Sequence, residues 1–203
     1  MMILLDAGHG GIEEGKYVTP GKRYYGLHEG KEIQMAEGAF NRAVVHGIAA
    51  RLHLFGVKCH IINPENEDIS LHARARRVNE IAKREKCVLL SVHHNAFEDE
   101  RVSGFEVFTS MGDTPSDPIA DFIGKKFTEI YPNVKLRRES ISPNRYSKDA
   151  GYYILRSTRC PAILTEWAFM TNPVDRDRMI CYLDDQIGFL TRMMVWVAEG
   201  KVA

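Results

Sequence analysis

Cys87-Val88-Leu89-Leu90-Ser91-Val92, followed at once by His93-His94-Asn95, is the stretch on which the fold turns. Cys87 to Val92 is a nearly continuous apolar run, the mark of a strand buried on both faces. Strands of that kind belong to sheets covered by helices on both sides. Three polar residues then end the run where such sheets present their ligand sites, outside the carboxyl ends of the strands.

Working outward, the chain alternates. Met1 to Asp6 is a second apolar run, ending in the glycine turn Ala7-Gly8-His9-Gly10-Gly11. Residues 10 to 30 are rich in Gly, Tyr and charge and read as a long surface loop. From Lys31 to Phe55 the residues Ile33, Ala36, Phe40, Val44, Ile48, Leu52 and Phe55 step by three and four, which predicts an amphipathic helix ended by Gly56. Val57 to Ile62 is a strand. Ser70 can cap a helix with the apolar phase Leu71, Ala75, Val78, Ile81 and Ala82. Beyond the central run, Gly104 to Ser110 is a strand. Ser116-Asp117-Pro118 starts a helix with the face Ile119, Phe122, Ile123, Phe127 and Ile130. Residues 132 to 151 are polar and irregular. Ala162 to Thr165 is a last short strand, and Asn172-Pro173 opens a helical C-terminus reaching about Glu199. The fold class is α/β. A single layered domain over residues 1–203 is expected, with a mostly parallel or mixed twisted sheet flanked by helices.

Composition narrows the function. The chain has 203 residues, with 27 Lys+Arg against 27 Asp+Glu, so its net charge is zero. A nucleic-acid binder normally carries a basic excess, so no nucleic-acid partner is expected. At 44% apolar and 27% charged residues the chain is an ordinary globular protein and not a disordered one. No apolar run approaches the ~18 residues of a membrane span, so no membrane insertion is expected. Met-Met-Ile-Leu-Leu is too short for a signal-peptide core, so this chain is not expected to be addressed for secretion unless it has been trimmed. Cys59, Cys87, Cys160 and Cys181 form no C-x-x-C pair and are expected to be free, buried thiols.

Polar residues at strand ends and one on an apolar helix face carry the chemistry. His9 follows the first strand, His93 and His94 end the third, and Glu166 ends the last. Glu37 falls on the apolar face of the first helix, where an unpaired carboxylate costs several kcal/mol. Each has a plainer reading: a loop histidine, a satisfied strand end, a solvated rim carboxylate, a cap. Taken together, two histidines and a carboxylate on separate elements at one end of a sheet match a His₂Glu zinc set, with Glu166 as a further acid/base. The bare sequence does not choose between His93 and His94.

In its motifs the chain resembles the zinc-dependent N-acetylmuramoyl-L-alanine amidases of the type-3 amidase family, found in bacterial autolysins and phage endolysins. The family pattern Asp-x-Gly-His-Gly-Gly appears as Asp6-Ala7-Gly8-His9-Gly10-Gly11. A helix with Glu-x-x-x-Asn and a later glycine appears as Glu37, Asn41 and Gly56, followed by Leu71, Arg74 and Asn79. Ser-Ile-His-x-Asn corresponds to Ser91-Val92-His93-His94-Asn95, and Gly-x-Glu-x-Phe to Gly104-Phe105-Glu106-Val107-Phe108. Pro-x-x-Leu-x-Glu-x-x-Phe-x-x-Asn corresponds to the segment from Pro161 through Leu164, Glu166 and Phe169 to Asn172.

The resemblance implies one zinc ion per chain on His9, Glu37 and His93, with His93 selected over His94. It implies acid/base work at Glu166, and a substrate contact at Asn95 is expected. The partner implied is peptidoglycan, as muramyl peptide, cleaved between the lactyl group and L-alanine. A monomer acting on the cell wall is expected, released from the cytoplasm through a holin-type pore or secreted as a trimmed form. Tyr24, Tyr25, Tyr152, Tyr153 and Trp167 are candidates for a glycopeptide groove. Loops 12–30 and 137–151 match nothing in the pattern and are expected to face substrate. The family often has Glu-Lys where this chain has Glu37-Gly38, and Glu29 and Glu32 compete for the ligand role, although the spacing to Asn41 and Gly56 favours Glu37. The rival functions are a zinc peptidase or deacetylase on another amide, and a non-catalytic wall-binding module.

Overall fold

A computed structural model describes residues 1–19, 22–138 and 145–202. Among them the strands are β1 (Met2–Ala7), β2 (Ile12–Glu13), β3 (Lys16–Tyr17), β4 (Arg23–His28), β5 (Lys31–Ala36), β6 (Cys59–Ile61), β7 (Cys87–Asn95), β8 (Glu106–Thr109), β9 (Lys148–Asp149) and β10 (Ala162–Phe169). The helices are α1 (Glu37–Leu54), α2 (Leu71–Ala82), α3 (Asp117–Ile130), α4 (Tyr153–Arg156), α5 (Pro173–Cys181) and α6 (Leu183–Ala198). No helix of the described residues is long and apolar enough to cross a membrane.

The main sheet has the order β6-β1-β7-β10-β8-β9. β6, β1, β7 and β10 run parallel, and β8 pairs antiparallel with β10, so the sheet is mixed. Its residues alternate between two cores, as the two-residue period of a strand requires. Ile3, Leu5, Val88, Leu90, Val92 and Ile163 enter one core, shared with α1, α3 and α6. Met2, Leu4, Cys87, Leu89, Ala162 and Leu164 enter the other, covered by α2 and α4. Because β1, β7 and β10 are parallel neighbours, their carboxyl ends open along one edge.

Several expectations need correction. The segment 10–30 is not one loop but carries β2, β3 and β4, with β5 following directly after it. Both hairpins turn on a two-residue Glu-Gly loop, since Glu13 pairs with Lys16 and His28 with Lys31. Glu14, Gly15, Glu29 and Gly30 all have positive φ, the pattern of a type I′ turn. Helix α1 therefore begins at Glu37 and not near Lys31, and Ile33 lies on a strand. The last strand runs on to Phe169, and the C-terminal helix is broken at Tyr182. α4 and β9 had no clear sequence signal. Ser70 caps α2 through Ala73 N as expected. The four cysteines are free, but only Cys87 is fully buried, and Cys181 is exposed. Burial pushes the Cys160 thiol up to about 12.

One buried carboxylate fixes the far end of β10. Asp175 accepts from Gly104 N at 2.7 Å and Phe169 N at 3.0 Å, and pairs with Arg178. Asp175→Ala strands two buried N–H groups and a partly buried guanidinium. The expected cost is about 3 kcal/mol, read from urea unfolding. A loss below about 1 kcal/mol would show that water replaces the carboxylate without penalty.

Candidate metal centre

The turn after β1 brings His9 to the open edge of the sheet. His9 has φ 66°, a left-handed conformation uncommon outside glycine. Two arginines hold it there. Arg42 Nη1 and Arg74 Nη2 each donate to the His9 carbonyl oxygen at 2.9 Å. Arg74, buried on α2, commits all its donors to this corner: Nε to Ile69 O, Nη1 to Asp6 and Ala7 O, Nη2 to His9 O and Asp68. Gly8 is required for a different reason. A Cβ there would fall 2.2 Å from Cε1 of the His93 ring.

Glu37 is the first residue of α1, where the helix dipole favours a carboxylate. Its Oε1 lies 2.9 Å from His93 Nδ1 and accepts weakly from His94 N and Asn41 Nδ2. Its Oε2 lies 3.2 Å from His9 Nε2, yet accepts no hydrogen bond among the described residues. Burial alone would raise the Glu37 pKa. The His9 and His93 rings beside it outweigh that cost and hold the carboxylate ionised, with its pKa well below the usual range. One ligand atom from each of His9, Glu37 and His93 lies within 4.8 Å of the others.

The histidine pair separates by strand parity. His93 shares its face with Ser91 and Leu89 and lines a cleft. His94 points to the opposite face and is wholly buried between α1 and α6. Its Nδ1 lies 2.7 Å from Asn41 Oδ1 and its Nε2 3.0 Å from the Gln186 side-chain amide. Burial pulls the His94 pKa down to about 4, so the ring is neutral at physiological pH. Asn41 donates its amide to Gly8 O and Glu37, so its oxygen must accept Nδ1–H. Nε2 then needs a donor. The Gln186 amide nitrogen has no other partner among the described residues and supplies it when turned to the ring. His94 therefore braces Asn41, and Asn41 braces Glu37.

Glu166 stands opposite His93 in the parallel register, at the last regular pair before a register shift in β10. Residues paired directly across neighbouring strands share a face, so both line the cleft. Glu166 is buried and its Oε2 has no partner among the described residues. Burial raises its pKa well above the usual range, and the nearby carboxylates Glu37 and Glu106 raise it further. Glu106 pairs with Glu166 across β8–β10 but is fully engaged. Its Oε1 takes Lys148 Nζ at 2.7 Å and Arg137 Nε at 3.2 Å, and its Oε2 takes Asn95 Nδ2 at 3.0 Å.

His9, His93, Asn95 and Glu166 all line one cleft of about 530 Å³, while Glu37 lies beneath it. Tyr152 and Tyr153 form part of its wall as expected. Trp167 does not. It is buried in an aromatic cluster with Phe105, Phe127, Tyr131 and Phe189. Tyr24 and Tyr25 sit on the β4–β5 hairpin, away from the described lining. Glu29 and Glu32 are exposed on that hairpin and do not approach the histidines. Leu71, read from the sequence as a core position of its helix, also lines the cleft, as do Lys22 and Asp68, which nothing in their sequence setting marked. Of the loops expected to face substrate, residues 20–21 and 139–144 lie outside the described residues.

The donor set suits zinc. Ligands about 2.0–2.1 Å from a tetrahedral zinc stand about 3.3 Å apart. The Glu37 contacts to His93 and His9, at 2.9 and 3.2 Å, are close to that spacing. The unpaired Oε2 atoms of Glu37 and Glu166 also leave acceptors facing a site that a cation and a water would satisfy.

Comparison with known proteins agrees with this geometry. The family model described as N-acetylmuramoyl-L-alanine amidase matches residues 3–182. The "Probable cell wall amidase LytH" of Staphylococcus aureus is 24% identical over 185 residues, covering 91% of this chain. The match spans 53% of that relative, so the chain spans about half the length of the curated relatives it matches. The N-acetylmuramoyl-L-alanine amidase AmiC2 of Nostoc punctiforme has a similar structure, with TM-score 0.73 and 22% identity, covering 98% of this chain and 97% of that one. The N-acetylmuramoyl-L-alanine amidase from Clostridium difficile 630 gives TM-score 0.73 at 21% identity, covering 97% and 96%. At these identities the structures speak for the fold alone.

Gly38 tests the packing of the site. A Cβ there would lie 1.8 Å from Gly10 O, and Gly38 N donates to Tyr17 Oη. Gly38→Ala must push the glycine turn away from α1. The expected loss is about 1–3 kcal/mol in denaturant unfolding, the range for overpacking a tight contact. An unchanged midpoint would show that the turn yields freely.

Proposed function

Because the chain belongs to the N-acetylmuramoyl-L-alanine amidase family, we propose that it hydrolyses the amide between the lactyl group of N-acetylmuramic acid and L-alanine in peptidoglycan, acting at the cell wall. The observation that carries this proposal is the convergence of His9, Glu37 and His93 at a cleft that also holds an unpaired Glu166. Residues 1–203 form the catalytic domain in this proposal.

His9, Glu37 and His93 would hold one zinc ion. Bound there, zinc lowers the pKa of a water from about 15.7 towards 7 and polarises a carbonyl oxygen. The chain's own residues do the rest. Glu166 accepts a proton as water oxygen bonds to the carbonyl carbon, then delivers it to the leaving nitrogen as the C–N bond breaks. Its position beside His93 puts it within reach of both. Its Oε2 is free for the task. Asn95, anchored to Glu106 through one amide N–H, keeps the other for a substrate carbonyl. Arg74 and Asn41 hold His9 and Glu37 in place.

Metal analysis of the purified chain should find one zinc, removed by chelator together with activity. His93→Ala should abolish tight binding. His94→Ala should retain zinc with about 10- to 100-fold lower affinity, because it braces a ligand and is not one. Equal loss in both variants would put His94 among the ligands, and active protein without a divalent ion would sink the metal assignment.

Glu166→Gln should keep zinc and fold but lower turnover by at least about 10²-fold. The products should be new alanine amino groups and no new sugar reducing ends. Near-normal turnover would remove Glu166 from the reaction. Release of amino groups other than alanine's would point to a different amide.

A further inference from the structure

The cleft has a continuation that the hydrolytic residues do not use. Leu71 and Tyr153 line the cleft. Tyr153 and the next residue on α2, His72, also line a second cavity of about 260 Å³. This cavity runs along α2 to Arg76, Asn79 and Lys83 and is closed on the other side by Arg159. Tyr153 is thus a wall shared by both spaces.

Cations gather here although the whole chain has a net charge of zero. Arg76, Lys83 and Arg159 line the cavity, and the Arg156 guanidinium lies 5.1 Å from the centroid of the Tyr153 ring. The one acid in the lining, Glu80, is taken by Lys83 at 2.6 Å. The Arg76 and Arg159 guanidiniums form no hydrogen bond or ion pair among the described residues, so both keep their donors. The backbone that carries Arg159 is fixed against the helix that carries Arg76. Asn79 donates to Ser157 O at 2.9 Å and accepts from Arg159 N at 2.8 Å, which clamps the segment after α4 onto α2.

The distance suits a peptide. From Leu71 to Arg76 the helix rises about 7–8 Å at ~1.5 Å per residue. An extended peptide advances about 3.3–3.6 Å per residue. A group two or three residues past a bond in the cleft therefore reaches the arginines. Guanidinium groups recognise planar anions, carboxylates above all, through paired N–H donors.

We propose that this cavity is a subsite for a free carboxylate on the second or third residue of the stem peptide, held by Arg76 and Arg159. The proposal rests on the amidase reading of the cleft. It makes the chain selective for acidic over amidated stems. A phosphodiester polymer attached to the wall offers a similar anion, and the experiment separates the two.

The experiment uses the full chain and two probes. One is an N-acetylmuramoyl tripeptide whose second and third residues carry free carboxylates. The other is the same tripeptide with those carboxyls converted to carboxamides. KM for the acid form should be about tenfold lower, the scale of one charge-assisted pair at a partly exposed site. Arg76→Ala/Arg159→Ala should raise the acid KM about tenfold and leave the carboxamide KM and both kcat values within about twofold. Both positions are exposed, and circular dichroism with zinc content checks that the variant is folded. Calorimetric titration of the two probes gives the same comparison without turnover.

Equal affinity for the two probes would overturn the proposal. So would a double variant that weakens both equally. A variant that keeps the acid preference but loses retention on walls bearing phosphodiester polymers would assign the cavity to phosphate instead. Failure of the amidase reading looks different. Wild-type protein would then release no alanine amino group from either probe, while the titration would still decide whether the arginines prefer the acid form.

Discussion

Arg74 is a buried guanidinium whose donors are all engaged around the turn that carries His9, on the Ala7, His9 and Ile69 carbonyls and the Asp6 and Asp68 carboxylates. Burying such a charge is tolerable only when every donor is met and a counter-charge lies close. Asp6 meets that need inside and Asp68 at the rim. Asp6 is fixed in turn by Ser91 on the neighbouring strand, at 2.6 Å. The first strand, the central strand and α2 are thus tied through one ion. What the tie holds is His9 in a backbone conformation it would not adopt alone. Arg42 grips the same carbonyl from α1 and also takes Glu65 O and Gly38 O. The weakest backbone position of the candidate metal centre is thus held from two helices.

The layered architecture was legible because the central strands are apolar on both faces. Leu89, Leu90 and Val92 leave little choice but a sheet covered twice. The segment 10–36 was misread for a physical reason. Its turns use Glu-Gly, where the stronger signals are Asn-Gly and Asp-Gly. Glycine supplies one positive φ, but nothing in a glutamate announces the other. Ile33 and Ala36 then happen to extend the helical step of α1 backwards, so strand β5 looked like its first turns. The true start has no side-chain cap to mark it. The Glu37 amide is met by Lys22 O and the Gly38 amide by Tyr17 Oη, both supplied by tertiary packing.

The site was legible in part. Five polar residues at strand ends and on a helix face stood out singly, and the fold brings four of them, His9, Glu37, His93 and Glu166, together. Parity decides between the two histidines, but the sequence does not say which face of a doubly buried strand carries the cleft. That depends on where β1 and β10 end and on the length of the turn after β1. The bracing was silent for another reason. Gln186 is an ordinary helix residue, and Asn41 only a position in the family pattern, until His94 is placed between them. Gly38 is likewise explained only by its neighbour. Lysine there would drive its Cβ into Gly10 O, so the turn in this chain sits closer to α1 than a side chain permits.

The two carboxylates paired across β8 and β10 show how neighbouring groups of one type receive different work. Glu106 and Glu166 face each other in register. Lys148 and Arg137 reach Glu106 and Asn95 occupies its second oxygen, so this carboxylate is a fixed structural anion. No cation in the described residues pairs with Glu166 within ion-pair distance, and one of its oxygens is bare. With one partner already engaged and burial acting on the other, Glu166 has a greater proton affinity than an ordinary carboxylate, as a group that takes up a proton and passes it on requires. Environments that drive like groups apart assign acid and base roles without any change of residue type. The same asymmetry accounts for Asn95. By tying it to Glu106, the structure keeps a polar edge at the cleft without offering Glu166 a hydrogen bond that would compete for its proton.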